Sequence, residues 1–126
     1  MKHLVYAVII MAATSVLCAA GNIYIDKTVT DTSIIISESV SCAEAGKWNE
    51  ARELCSQASE IWSVKNNILG IVLNHNVSDR VSESLPSLIM LARWQEQGEF
   101  AARAAEMLAY LEHIREMELP SLSNIF

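Results

Sequence analysis

The chain begins with a long run of apolar positions. Residues 4–25 contain no charged side chain. The clearly polar members of this run are Thr14, Ser15 and Asn22. About 20 apolar residues suffice to cross the hydrocarbon core of a bilayer as a helix. Tyr6 and Tyr24 lie near the two ends, where aromatic rings favour the membrane interface. The pattern therefore predicts one membrane-spanning helix within residues 1–25.

Two alternatives for this apolar run stay open. Residues 18–20, Cys-Ala-Ala, precede Gly21 and form a tolerable cleavage site, which would release a secreted soluble helical protein. The run continues to Ile25, longer than a usual signal core, and this favours an uncleaved anchor. A lipid attached at Cys18 is disfavoured because Leu17 stands where that motif takes a small residue.

The charges beside the run indicate its orientation. Lys2 and the amino terminus precede it, whereas Lys27 follows it between Asp26 and Asp31. Positive charge favours the cytoplasmic side. We therefore expect a single-pass protein of the cell membrane, with a cytoplasmic N-terminus and the remaining chain outside.

After the apolar run, the apolar positions follow a helical period. Residues 26–45 are predicted to continue the span as a helix that ends at Gly46, although residues 28–36 are rich in β-branched side chains. The apolar face of this helix comprises Val29, Ile36, Val40 and Ala43.

Three further amphipathic helices are predicted. The second runs from Trp48 to about residue 73, and residues 74–76 close it. Its apolar positions are Ala51, Cys55, Ala58, Trp62, Leu69 and Val72. The third covers residues 78–97, with Pro86 expected to kink it or to mark a late start. Its face comprises Val81, Leu85, Leu88, Ala92 and Gln95.

The fourth helix, over residues 99–116, follows a break at Gly98. Its apolar positions are Phe100, Ala104, Met107, Leu108, Leu111 and Ile114. The turns at Gly46 and Gly98 are each followed two residues later by an aromatic, Trp48 or Phe100, which we expect to fill a corner between helices.

The fold class is thus all-α, with an N-terminal transmembrane helix continuing into an antiparallel bundle of about four helices. We assign residues 1–25 to the anchor, 26–118 to the bundle and 119–126 to a short apolar tail.

The charge of the chain excludes some partners. From Asp26 onward the sequence has 8 Lys and Arg against 15 Asp and Glu. Nucleic acid is excluded, because its phosphates require a basic surface. The same negative charge disfavours broad contact between the bundle and anionic lipid. We therefore expect lipid to contact the N-terminal helix.

Helix length suggests which end of the bundle faces the membrane. The first helix rises roughly 30 Å beyond the span and the second returns roughly 40 Å, at about 1.5 Å per residue. The ends of helices two and four should therefore meet the membrane, where an integral membrane or envelope protein is the expected partner. The predicted interaction surface comprises Ile68, Leu69, Ile71, Val72, Leu73, His75, His113, Leu122, Ile125 and Phe126.

Several short segments resemble a known family. They are residues 111–114 (Leu-Glu-His-Ile), residues 120–126 (Pro-Ser-Leu-Ser-Asn-Ile-Phe), residues 46–51 (Gly-Lys-Trp-Asn-Glu-Ala) with Trp62 downstream, and Asn74 with His75. With the N-terminal span and this length, the chain resembles the bacterial family named domain of unknown function 4363. The resemblance implies a small single-span helical protein of Gram-positive bacteria and implies no activity. Pro86 departs from the family pattern, where a helix former is usual.

Candidate chemistry is sparse. The sequence supports no catalytic, cofactor-binding or metal assignment, and we expect a non-enzymatic interaction module. An alternative is an envelope sensor that holds a ligand between helices. His75 and His113 with Asp79, Glu112 and Glu116 are the best zinc candidates, but they lack the short fixed spacing of metal motifs, and capping of helix ends explains the histidines as well.

Three further features leave alternatives open. Cys42 and Cys55 flank Gly46 and form either a disulfide or two buried thiols. The tryptophans Trp48, Trp62 and Trp94 are expected at core or corner positions. The span either associates with a second copy or crosses the membrane alone, so more than one oligomeric state is compatible with the sequence. The small residues that would permit such self-association are Ala12, Ala13, Ala19, Ala20 and Gly21.

Overall fold

The apolar run and the first predicted helix form one continuous element. In the computed structural model, α1 spans Lys2–Glu44, 43 residues without a break, and this confirms that the first bundle helix continues the apolar run. At about 1.5 Å per residue α1 is roughly 65 Å long. The β-branched residues 28–36 remain helical because the face that includes Val29, Thr32 and Ile36 is buried, and packing outweighs local propensity.

The structure describes residues 1–72 and 75–118, with side chains described for residues 1–65 and 76–116. Within these residues the helices after α1 are α2 (Trp48–Val72), α3 (His75–Arg93) and α4 (Gln97–Glu118). Contacts join α1 to α2, α2 to α3, α3 to α4, and α4 back to α1. Successive helices reverse direction, so the described chain forms an antiparallel four-helix bundle, as the sequence predicted.

One apolar stripe from each helix forms the core. The buried apolar residues are Ile25, Val29, Ile36 and Ala43 of α1; Ala51, Cys55, Ala58 and Trp62 of α2; Val81, Leu85, Leu88 and Ala92 of α3; and Phe100, Ala104, Met107, Leu111 and Ile114 of α4. The predicted faces of α2 and α4 are confirmed wherever their side chains are described, except that Leu108 is half-buried. The core begins at Ile25, the last residue of the predicted span.

The buried face of α1 also carries hydroxyl groups. Thr28, Thr32 and Ser39 are fully buried. Each hydroxyl donates to a carbonyl of its own helix: Thr28 to Tyr24, Thr32 to Thr28 and Ser39 to Ile36, over 2.6–2.9 Å. Burial therefore leaves no polar atom of these three side chains without a partner. Because these side chains are small, α1 can lie close to its neighbours.

Two turns at the far end of the bundle have the same geometry. Gly46 has φ 78° and Gln95 has φ 56°. In each turn this residue donates its N–H to the carbonyl three residues back, and the next residue donates to the carbonyl five back. Both are therefore Schellman caps. We call this end of the bundle the distal end, and the end where α1 joins the bundle the proximal end.

The second turn corrects a prediction. Gly98 does not break the chain; it lies in the first turn of α4, which begins at Gln97. Gln95 does not share the buried face of α3, because α3 ends at Arg93 and Gln95 is exposed in the turn. The left-handed position of this turn is occupied by Gln95 and not by a glycine.

The beginning of α3 also differs from the prediction. His75 and Asn76 do not close α2; they belong to α3, which starts three residues earlier than predicted. Pro86 therefore does not mark a late start and lies within the helix. Proline lacks the N–H that would bond the Ser82 carbonyl. Pro86 itself is exposed, whereas Ser82 is half-buried.

The two aromatic residues that follow the glycines meet at the distal end. The rings of Trp48 and Phe100 lie 5.7 Å apart at 81°, an edge-to-face contact across the bundle from α2 to α4. The expected filling of the corner is confirmed for this pair. Trp94, in contrast, lies in the turn before α4 and is 70% exposed, so the expectation of a core or corner position fails there.

Candidate functional site

Two contacts fix which helix ends lie at the proximal end. The Arg115 Nε atom lies 2.8 Å from Asp26 Oδ1, which joins the last turns of α4 to the start of the bundle on α1. The Lys65 ammonium lies 5.5 Å from the centre of the Tyr24 ring. Lys65 of α2 and Arg115, near the end of α4, therefore lie beside residues 24–26 of α1.

A third contact places the start of α3 at the same end. The Trp62 indole N–H donates to the Ser78 carbonyl over 3.2 Å. His75 precedes Ser78 by three residues and is the first residue of α3. Both α2 beyond Lys65 and the first turn of α3 thus belong to the proximal end, where the sequence analysis expected an interaction surface.

The predicted interaction surface falls largely outside the described side chains. Ile68, Leu69, Ile71 and Val72 lie in α2 and His75 in α3, but their side chains are outside the described residues. Leu73, Leu122, Ile125 and Phe126 lie outside the described residues altogether. His113 is described: it is exposed on α4, two residues before Arg115. The role of this surface stays a prediction.

The ion pair at the proximal end is partly exposed. The side chains of Arg115 and Asp26 are 42% and 36% exposed. An ion pair of this exposure contributes about 0.2–1 kcal/mol. This pair was not predicted from the sequence, and the signal that points to it is the charged residues directly after the apolar run of α1 and in the last turns of α4.

The cysteines are free thiols. Cys55 is buried on α2, whereas Cys42 is half-buried on α1 and its Sγ lies 3.9 Å from Glu50 Oε2. Of the two alternatives, the structure has two thiols and no disulfide between them. Burial raises the pKa of the Cys55 thiol, and a hydrogen bond with Ser39 opposes that shift.

The zinc alternative gains no support from the described side chains. Within residues 1–65 and 76–116, no three His, Cys, Asp or Glu residues converge as a metal site would require. His75 lies outside this range, so the pairing of His75 with His113 stays a prediction.

A surface groove between α3 and α4 is relevant to the sensor alternative. Its cavity volume is about 60 Å³, and its lining is mixed polar and apolar. The lining residues are Arg80, Ser84, Ser87, Leu88, Arg103, Glu106, Met107 and Tyr110. Arg80 lies over the Tyr110 ring at 4.9 Å. Because Leu88 and Met107 are nearly fully buried, they form the floor of a groove that does not reach the core.

The outward-facing N-terminal part of α1 completes the description. An 18-residue window of α1 has a mean hydropathy of 2.2 and none of its residues is buried in the bundle. One helix of the described chain is thus long and apolar enough to cross a membrane. This fits either a membrane anchor or a signal sequence.

Comparison with known proteins gives one match. The family model described as a domain of unknown function, DUF4363, matches residues 20–125. The match covers all four helices of the bundle and begins near the point where α1 joins it. Comparisons with curated proteins and with solved structures returned no match. The family named on the residues of the sequence is thereby confirmed, and the chain belongs to the DUF4363 family.

Proposed function

We propose that this protein is a membrane-anchored, extracytoplasmic and non-enzymatic interaction module. The observation that carries the proposal is the continuity of α1. Its residues 4–20 are exposed, uncharged and mostly apolar, whereas Ile25, Val29 and Ile36 are buried in the bundle. One helix therefore serves as anchor and as a structural member of the domain. The alternative is a secreted helical protein, released by cleavage after Ala20.

The dimensions of α1 support a bundle that sits directly on the membrane, without a stalk. Residues 4–20 are the exposed apolar part of α1, and they extend roughly 25 Å as a helix. The hydrocarbon core is about 30 Å thick. Residues 21–25 are needed to complete the crossing, and Ile25 is already in the bundle core. The proximal end therefore lies in the interfacial layer of the membrane.

This position indicates the kind of partner. Beyond Lys65, α2 continues for seven residues to Val72, and the sequence of this stretch is mostly apolar. The bundle is acidic, so contact with anionic lipid alone does not explain a surface held at the membrane. An integral membrane or envelope protein is the partner that suits an apolar surface at this height.

Labelling in intact cells tests the anchor and its orientation. In a background without cysteine (Cys18→Ala, Cys42→Ala, Cys55→Ala), one variant carries Glu44→Cys at the distal end and a matched control carries Lys2→Cys. A membrane-impermeant maleimide is expected to label Glu44→Cys in intact cells and Lys2→Cys after permeabilisation only. The opposite pattern, or a soluble chain whose mass shows that it begins at Gly21, would refute the proposal.

Co-purification from detergent tests the partner. The full-length chain is compared with a chain lacking residues 119–126, with His113→Glu, and with the matched distal variant Lys47→Glu. We expect an integral membrane protein to co-purify with the full-length chain and with Lys47→Glu, and to be lost with the two proximal variants. Isolation of all four chains without such a protein would contradict the interaction role.

A further inference from the structure

The groove between α3 and α4 brings two arginines together in a bundle that is otherwise acidic. Arg80 of α3 and Arg103 of α4 line the same small cavity, and Glu106 is the one carboxylate among its lining residues. From Asp26 onward the chain has 8 basic against 15 acidic side chains. The lining therefore has an excess of positive charge on a chain whose overall charge is negative. We call this cavity the arginine groove.

The two arginines of the groove are not neutralised by neighbouring side chains. In the part of the chain whose side chains the structure describes, neither Arg80 nor Arg103 forms an ion pair. Glu106 follows Arg103 by three residues on α4, a spacing at which such pairs form readily, yet it is paired with neither guanidinium. Two positive charges beside one small cavity repel each other, and an anion placed between them would relieve that repulsion.

The hydrogen-bond donors of the groove are held in place and available. The Arg80 guanidinium lies over the Tyr110 ring at 4.9 Å, which restrains its position. The N–H groups of a guanidinium lie in its plane, so a contact through its flat face leaves them able to donate. The half-buried Ser87 hydroxyl also lines the groove and has no hydrogen-bond partner among the described residues. The Ser84 hydroxyl, in contrast, donates to the Arg80 carbonyl over 2.8 Å.

We propose that the arginine groove binds a phosphate group. Two guanidiniums and a hydroxyl supply more donors than the two oxygens of a carboxylate use, whereas a phosphate group has three acceptor oxygens and a charge of about −1.5 to −2 at pH 7. The cavity volume of about 60 Å³ suits one such group, because sites for drug-sized ligands measure about 300–1,000 Å³. This inference does not depend on whether α1 crosses a membrane.

Glu106 allows the proposal to be tested by the sign of an effect. Its carboxylate lines the cavity and would repel a bound phosphate. Glu106→Gln keeps the size of the side chain and removes the charge, so the affinity for phosphate should rise severalfold. A ligand that carries an ammonium group would instead lose affinity in this variant.

Phosphorus NMR measures the binding directly. The full-length chain, in micelles of a glucoside detergent, is titrated with inorganic phosphate. We expect saturable binding that is weakened roughly tenfold or more in Arg80→Gln and in Arg103→Gln, since each variant removes a charge-assisted hydrogen bond. The matched control Arg93→Gln removes an exposed arginine of α3 that does not line the groove, and binding should be unchanged. An equal loss in Arg93→Gln, or weaker binding in Glu106→Gln, would overturn the proposal.

Two further titrations identify the source of the phosphate group. Phosphatidic acid in the same micelles represents a lipid headgroup, and acetate serves as the carboxylate comparison. Binding of inorganic phosphate shows that a soluble ion suffices, whereas binding of phosphatidic acid alone, with the same dependence on Arg80 and Arg103, assigns the groove to a lipid headgroup. Binding of acetate as tightly as phosphate, or of none of the three, would overturn the proposal.

Thermal unfolding separates loss of the site from loss of the fold. Both arginines are exposed, so Arg80→Gln and Arg103→Gln should unfold at nearly the same temperature as the unchanged chain. Weaker phosphate binding by a variant that unfolds normally supports a direct contact with the ligand. If binding declines only in step with the unfolding temperature, the arginines stabilise the bundle and do not bind phosphate.

Discussion

The Nε atom of Arg115 lies 2.8 Å from Oδ1 of Asp26, and this pair joins the last turns of α4 to the residue that follows the apolar run. The contact shows that the chain returns, after three reversals, to the part of α1 that directly follows the apolar run. A large stabilising contribution is not expected from it, because both side chains are substantially exposed. Its importance is geometric, since it places the end of α4 at the proximal end.

Arg115→Gln should lower the free energy of unfolding of the bundle by less than about 1 kcal/mol, as is typical of exposed ion pairs. Because such pairs are screened by salt, the effect should diminish as ionic strength rises. Urea unfolding in low and high salt measures both. The double variant Asp26→Arg with Arg115→Asp serves as the control and should recover most of the loss. A loss well above 1 kcal/mol would mean that the guanidinium has a further structural role.

The two Schellman turns give an opposed pair of predictions. Gln95 adopts φ 56°, where a side chain is disfavoured by about 1–2 kcal/mol, whereas glycine loses about 0.5–1 kcal/mol in chain entropy. Gln95→Gly should therefore stabilise the bundle by about 0.5–1 kcal/mol, as the balance of these terms. Gly46→Ala, at φ 78°, should destabilise it by about 1 kcal/mol or more. Equilibrium unfolding compares them, and effects of the same sign would contradict the shared turn geometry.

The tryptophans provide a matched comparison of core and surface. Trp62 is fully buried and Trp94 is 70% exposed. Trp62→Ala should cost about 3–5 kcal/mol, because a large cavity remains and the bond to the Ser78 carbonyl is lost. Trp94→Ala should change stability by less than about 0.5 kcal/mol. Similar losses in the two variants, measured by urea unfolding, would refute the assignment of the core.

The Cys55 thiol predicts how stability depends on alkaline pH. Burial raises its pKa above the ordinary value of 9.0, so the folded chain keeps the proton where the unfolded chain loses it. The contribution of the buried thiol to the free energy of unfolding is fully present below pH 9. It is lost as the pH rises from the pKa of this thiol in the unfolded chain towards its higher pKa in the folded chain. Above pH 9, the free energy of unfolding should therefore decrease less steeply with pH in Cys55→Ala than in the unchanged chain. Identical slopes would show that Cys55 is not buried as a thiol.

Much of the fold could be predicted from the sequence because three helices have regular apolar stripes. The positions at Ala51, Cys55, Ala58 and Trp62 follow steps of three and four, and all four are buried. The buried hydroxyls of α1 could not be found in this way. A pattern that treats threonine as polar does not register that its hydroxyl can bond to its own helix and then be buried.

The turn before α4 shows a different limit of sequence reasoning. In the first turn the left-handed position is occupied by a glycine, Gly46. In the second turn it is occupied by Gln95, although Gly98 lies only three residues later. Phe100, in the first turns of α4, also makes a tertiary contact with Trp48 that the local sequence does not show. Less of the candidate site could be predicted. The sequence indicates that apolar residues meet at the proximal end, but it does not reveal the ion pair of Asp26 with Arg115.

The central claim is that one helix crosses the membrane and enters the bundle without a stalk. A series of single cysteines on the outer side of α1 tests this claim directly: Val16→Cys, Ile23→Cys, Lys27→Cys, Ile34→Cys and Ser41→Cys. All five positions are exposed. In lipid vesicles, spin labels at these positions report depth through their relative accessibility to oxygen and to a polar nickel complex. We predict a label at Val16 within the hydrocarbon, one at Ile23 at the interface, and labels at Ile34 and Ser41 in water. A label at Val16 in water, or one at Ile34 in hydrocarbon, would contradict the account.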